Sequence, residues 1–168
     1  MFGVNHIVLY GNSTICRIVD MRSMEFKRGQ KEAYYVLKPV YEERDTFFVP
    51  VSKGEERLEK LLSMEDVELL LSSRPEEGKI WAENASFRRK TLMDIINHGS
   101  HQDLVDMIRV IHAHQQEKLR QGKRLSQADE NMMSRAADKL YQVFRYLMDI
   151  TPEEMIPYIV TGQRKKIG

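Results

Sequence analysis

The hydrophobic period of this chain changes once, near Lys53-Gly54. A chain with one such change folds as two differently built halves. Before that point the apolar residues come in short aromatic and β-branched runs broken by turn residues, the pattern of strands. Ile7-Val8-Leu9-Tyr10 ends at Gly11-Asn12-Ser13, and Ile15-Cys16-Arg17-Ile18-Val19 follows. Lys27-Arg28-Gly29-Gln30 reads as a polar turn before Ala33-Tyr34-Tyr35-Val36-Leu37, which Pro39 discourages from extending. Glu42-Glu43-Arg44-Asp45 is a further turn, and Thr46-Phe47-Phe48-Val49-Pro50-Val51 is the last strand. Short strands joined by tight turns predict a small, strongly bent antiparallel β-barrel.

After Gly54 apolar residues recur at three- and four-residue steps: Leu58, Leu61, Leu62, Leu69 and Leu70. Ser63 with Asp66 is a cap pattern for a new helix. Ser72-Ser73-Arg74-Pro75-Glu76-Glu77-Gly78 reads as a linker, placed near 72–79. A helix is expected from Ile80 to Asn97, closed by Gly99. Ser100 with Asp103 caps the next, which runs to Gly122, and Ser126 with Asp129 caps a third. Thr151-Pro152-Glu153-Glu154 combines an N-cap, a proline at the first helical position and an early acid. Gln163-Arg164-Lys165-Lys166 reads as a frayed basic tail. The expected class is therefore α+β: a β domain over 1–53 and an all-α helical bundle over 54–168.

Charge narrows the function. The chain has 26 Lys+Arg against 25 Asp+Glu, so no overall field marks a nucleic-acid binder. Cations concentrate locally, with 9 basic and 5 acidic side chains over 79–124. No apolar run approaches the ~20 residues of a membrane span. The N-terminus lacks a basic segment followed by a long apolar one, so no signal peptide is expected. Cys16 is the only cysteine, which fits a reducing, cytoplasmic setting.

Catalytic patterns are weak. There is no Gly-rich phosphate loop and no Gly-x-Ser-x-Gly elbow. His112 and His114, two apart on one helix, point in different directions and do not form a helical metal pair. Cys16 could be a nucleophile beside His6, but inside a strand a small buried hydrophobe is the plainer reading. The expectation is no enzyme, no cofactor, no metal and no small-molecule substrate.

A binding protein remains. Trp81, the only tryptophan, follows the polar linker and is expected in the first turn of a helix that carries Arg88-Arg89-Lys90. An aromatic beside cations suits nucleic acid: the cations hold phosphates while an apolar wedge enters a distorted step. The alternative is that Trp81 anchors a core. A second basic group, Lys118, Arg120, Lys123 and Arg124, equally complements a helix C-terminus.

The order of these segments resembles the CarD/CdnL family of bacterial transcription regulators, whose N-terminal module is shared with the transcription-repair coupling factor. The resemblance covers roughly residues 4–160. It rests on Ile7-Val8-Leu9-Tyr10-Gly11, Ile15-Cys16-Arg17-Ile18, Tyr35-Val36-Leu37 and Phe48-Val49-Pro50-Val51. Trp81, Phe87-Arg88-Arg89-Lys90, Asn97-His98-Gly99-Ser100, Leu125-Ser126 and Thr151-Pro152-Glu153-Glu154 continue it. It implies a Tudor-like barrel that binds the β subunit of RNA polymerase, partly by edge-strand pairing, and a helical half that lies on promoter DNA at the upstream edge of the bubble. Trp81 matches a tryptophan that wedges into the minor groove and holds the open complex. Arg88, Arg89, Lys90 and Arg135 match basic positions, and Lys118, Lys123 and Arg124 join them as expected DNA contacts. Glu25 and Phe48 stand about where some members place polymerase-contacting arginines; with Thr46 and Phe47 they form the expected polymerase face. Gly11-Asn12-Ser13-Thr14 replaces the Pro-containing His-Gly turn of many members. A protein-only adaptor without DNA contact is the alternative function.

Overall fold

The structure, a computed structural model, describes residues 1–42 and 44–164. Glu43 of the acidic turn and Lys165-Lys166 of the basic tail lie outside the described residues. The chain divides into two compact units, Met1–Leu61 and Leu62–Gly168.

The first unit is a five-stranded antiparallel sheet. Its strands are β1 (Ile7–Tyr10), β2 (Thr14–Lys27), β3 (Gln30–Pro39), β4 (Phe47–Pro50) and β5 (Leu58–Lys60), in the order β4-β3-β2-β1-β5. The expected α+β class holds, but the sheet is open rather than a closed barrel. Closure needs the two outer strands to pair with each other. Here β4 and β5 are the edges, and at four and three residues they are too short to carry the ladder round. The long β2 bends instead. Its register with β3 shifts between Ile18 and Asp20 and again between Glu25 and Lys27, and each such bulge kinks a strand and adds twist.

Alternation along the strands builds the core. Tyr35 and Leu37 of β3 face the same side as their partners Val49 and Phe47 of β4. Ile18 and Cys16 of β2 continue that face, and Val8 of β1 lies opposite Cys16. These residues and Leu58 form the buried cluster, with Phe2, Tyr10, Phe47 and Val51 packed against it. A short helix α1 (Gly54–Arg57) leads into β5. A Cβ on Gly54 would lie 2.9 Å from Cε2 of Tyr35, so only glycine lets the backbone pass this ring. The helical period expected from Leu58 begins only at Met64. Leu58 itself is a buried strand residue, and a three-residue strand is too short to show a period of two.

The second unit is helical: α2 (Met64–Ser72), α3 (Glu77–Ile80), α4 (Ala85–His98), α5 (His101–Arg120), α6 (Gln127–Leu147) and α7 (Met155–Thr161). Ser63 with Asp66 and Ser100 with Asp103 form reciprocal capping boxes, and Ser126 accepts from the Asp129 N–H. Leu92 and Ile96, Leu104, Met107, Ile108 and Ile111, Leu140, Val143 and Phe144, and Met155 and Ile159 are buried. Arg109 of α5 donates to the carbonyls of Leu71, Ser73 and Ile159, which ties the ends of α2 and α7 to α5. The helix expected over 80–97 begins only at Ala85, and Ile80 instead ends the short α3. α3 stops at Trp81, and Asn84 caps α4 by accepting from the Phe87 N–H at 3.0 Å.

Candidate nucleic-acid interface

Trp81 therefore ends a helix instead of beginning one. Its backbone N–H donates to the Glu77 carbonyl at 2.8 Å, which fixes where the side chain leaves the backbone. The indole is half-buried. The His114 imidazole of α5 stacks on it, centroids 3.8 Å apart and planes 8° from parallel. The Arg88 guanidinium of α4 lies over the ring at 4.2 Å. Two groups so close to one ring centre would overlap on a single face, so they take opposite faces.

Both partners are themselves held. Nε2 of His114 lies 2.5 Å from the Glu77 carboxylate. Arg88 makes a two-point ion pair with Asp129 of α6, Nε to Oδ1 at 3.1 Å and Nη2 to Oδ2 at 2.9 Å. It also donates to the Ala82 carbonyl at 2.8 Å. The side chains of Arg88 and Asp129 are 11% and 9% exposed, so this pair is largely desolvated. The result is a chain of five groups: carboxylate, imidazole, indole, guanidinium, carboxylate. It joins α3, α5, the Trp81 turn, α4 and α6.

This chain sorts the expected basic residues. A pocket of ~440 Å³ is lined by Trp81, Arg88, His114, Lys118, Arg124 and Asp129, among others. Four expected DNA contacts thus meet at one place. Arg88 faces that pocket with its guanidinium already engaged, so it orients Trp81 and is not exposed to receive a phosphate. Lys118, in the last turn of α5, and Arg124, in the α5–α6 connection, are exposed. Their side chains form no ion pair among the described residues. Arg89 and Lys90 are exposed on α4 and Lys123 lies in the α5–α6 turn; none of the three lines this pocket. Arg135 lies away from it, its guanidinium against the Met93 sulfur at 3.2 Å. Burial beside Arg135 holds the Lys139 ammonium below its ordinary value; Lys139 donates to the Ile96 carbonyl. The roles of His114, Glu77 and Asp129 at this site escaped the sequence reading. Their partners lie 37 and 41 positions away, and no local pattern encodes such a pairing.

The expected polymerase face lies on the first unit. Phe47 turns inward and packs on Tyr10, centroids 5.0 Å apart. Phe48 points the other way, 39% exposed. It sits 6.2 Å from Phe26, which in turn meets Tyr34 edge-on at 4.8 Å. Phe26 and Tyr34, on the β2–β3 hairpin, extend this aromatic surface beyond the expected residues. Thr46 is exposed just before β4. Glu25 is occupied locally, accepting from the Gly29 N–H at 2.5 Å across the hairpin turn.

Catalytic features are sparse. Cys16 is fully buried, and burial pushes its thiol up to about 11, which leaves almost no thiolate near neutrality. Among the described residues no group of three or more His, Cys, Asp or Glu is placed to hold a metal. Among them, too, no helix is long and apolar enough to cross a membrane.

Comparison with known proteins separates the two units. No curated protein matches the chain. Residues 2–62 match the family model of the CarD-like/TRCF RID domain. The matched stretch takes in all five strands, from before β1 to just past β5. The family's members are non-enzymatic modules that bind RNA polymerase through its β subunit, and over residues 2–62 the sheet unit of this chain is similar to them.

Proposed function

We propose that this protein binds the polymerase β subunit through the β4 edge of its RID domain and promoter DNA through its helical unit, stabilising the open complex at the upstream edge of the bubble. The observation that carries the DNA half is the meeting of Trp81 with unpaired Lys118 and Arg124 at one pocket. Cations hold phosphates without reading sequence, and the indole is the apolar group that fills a distorted minor-groove step. The polymerase half rests on the family match and on β4 being an edge strand of the sheet, the kind of edge a partner strand can extend. Tethering on polymerase raises the effective DNA concentration, so a chain of net charge +1 needs only weak DNA contacts. Stabilisation requires tighter binding to the open than to the closed promoter; a tenfold difference corresponds to about 1.4 kcal/mol. The protein would act in the cytoplasm, at the nucleoid, with no cofactor.

The test uses the full chain with polymerase and a promoter. Trp81→Ala should keep polymerase binding and shorten the lifetime of the open complex; Lys118→Ala with Arg124→Ala should weaken the complex and flatten its salt dependence. An unchanged lifetime in a folded Trp81→Ala protein rejects the DNA reading. The adaptor reading, polymerase binding without DNA contact, has one observation in its favour: both faces of Trp81 are covered. It expects the emission of this lone tryptophan to ignore added promoter DNA.

A further inference from the structure

Both faces of Trp81 are occupied, yet the two occupants are held unequally. Arg88 is fixed by a two-point, desolvated pair with Asp129 and by the Ala82 carbonyl. Removing its guanidinium from the indole would break several charge-assisted bonds at once. His114 is held by one contact, to a Glu77 carboxylate that is 64% exposed. Water readily replaces that contact. The indole therefore has one fixed face and one exchangeable face, and the exchangeable face carries a flat heteroaromatic ring. A nucleobase is also a flat heteroaromatic ring and stacks on indole in the same way.

We propose that His114 occupies the place of a nucleobase on Trp81 and thereby sets selectivity for melted over paired DNA. This rests on the DNA reading above. In a paired duplex the bases are stacked on one another and offer no free face. The indole then stays on His114, and the protein holds the duplex by phosphate contacts alone. At an opened step a base presents its face, displaces His114 and takes over the stack. His114 thus opposes only the second mode. It acts on DNA through Trp81 and is a positioning residue. The charged and titratable groups around the stack are Glu77 of α3, Glu83 and Arg88 on the Trp81 side, Lys118 of α5, Arg124 of the α5–α6 turn and Asp129 of α6.

Two duplexes of identical length and sequence test this, one fully paired and one with a short mismatched segment. They are titrated with the full-length protein and with His114→Ala, His114→Phe, Glu77→Gln and Trp81→Ala, each checked by circular dichroism. His114→Ala should bind the mismatched duplex roughly three- to tenfold more tightly, the worth of one aromatic pair, and the paired duplex within twofold of the parent. His114→Phe keeps a flat ring in place and should match the parent on both. Glu77→Gln loosens His114 without removing it; its gain on the mismatched duplex should exceed its gain on the paired one. In the free protein, a soluble quencher should reach Trp81 more easily in His114→Ala than in His114→Phe. Equal gains on both duplexes, or a folded His114→Ala that binds the mismatched duplex no better, overturn the proposal. If Trp81→Ala binds both duplexes like the parent, the wedge reading falls and this proposal with it. If Trp81→Ala loses mismatched binding while His114→Ala gains none, only the role of His114 falls.

Discussion

The two units present opposite kinds of surface. The sheet unit presents backbone at an edge strand, β4, with the aromatic rings of Phe48 and Phe26 beside it. The helical unit presents side chains: one tryptophan held between two neighbours, His114 and Arg88, with exposed cations beside it. Edge pairing tolerates sequence change because every residue but proline carries the same groups. A side-chain site changes with each substitution. The family match follows this division: its residues 2–62 cover the sheet unit and end one residue beyond it.

The largest expected effects ask whether the units are separate in stability as well. Asp129→Ala leaves the buried Arg88 guanidinium without its carboxylate and should cost about 3–5 kcal/mol. It should lower only the melting transition of the helical unit. Ile18→Ala empties a fully buried position in the sheet core and should cost about 2–5 kcal/mol. A domain of ~60 residues has little stability to lose, so this change should melt the sheet unit alone. Calorimetry checks both; a shift of both transitions by either substitution breaks the comparison.

A smaller effect is expected on binding. Phe48→Asp places a charge in the exposed aromatic patch without opening the core. Polymerase affinity should fall about thirtyfold, the scale of an interface hot spot, with DNA affinity of the isolated protein unchanged. Surface plasmon resonance against the β subunit and against a duplex reads the two separately. On the helical side, Arg89→Ala with Lys90→Ala should change stability by no more than about 0.5 kcal/mol. The slope of log affinity against log salt should fall by about 0.9 for each phosphate that is no longer neutralised.

The smallest effects concern pH and divide the units once more. Burial holds the His112 imidazole below its ordinary value. The folded helical unit therefore binds that proton less readily than the unfolded chain does. The stability it contributes is present above the ordinary histidine value and is lost as pH falls through the lower folded value. In the sheet unit burial raises the Cys16 thiol from 9.0 to about 11. The folded unit keeps that proton longer, so its contribution is present below 9.0 and is lost as pH rises towards 11. His112→Gln should flatten the acid limb of the helical transition, and Cys16→Ala the alkaline limb of the sheet transition.

What could be read from the sequence was what is local. Ser63, Ser100 and Ser126 each accept from the backbone three residues on, and those helix starts fall where the pattern puts them. The Arg28-Gly29 turn is set by a glycine at φ 81. Sheet closure was misread because it depends on the lengths of the two edge strands, and β5 is too short to have a pattern. The break at Trp81–Asn84 was missed because Trp81, Ala82 and Glu83 all tolerate a helix, so only Asn84 marks it. Arg88 stood in a basic triplet and looked like its neighbours. Its pairing with Asp129 spans 41 positions, and Asp129 already had a local explanation as a capping residue.

The close pass of Gly54 by Tyr35 has a consequence for inheritance. Tyr35 donates its hydroxyl to the Phe2 carbonyl and meets the Phe2 ring edge-on, so it has no room to retreat from a new methyl group at position 54. Positions 2, 35 and 54 therefore form one packing unit spread over most of the domain. A lineage that places a side chain at 54 must shrink the ring at 35 in the same step or lose the seating of the β5 strand. Among relatives, the three positions should change together or stay fixed together.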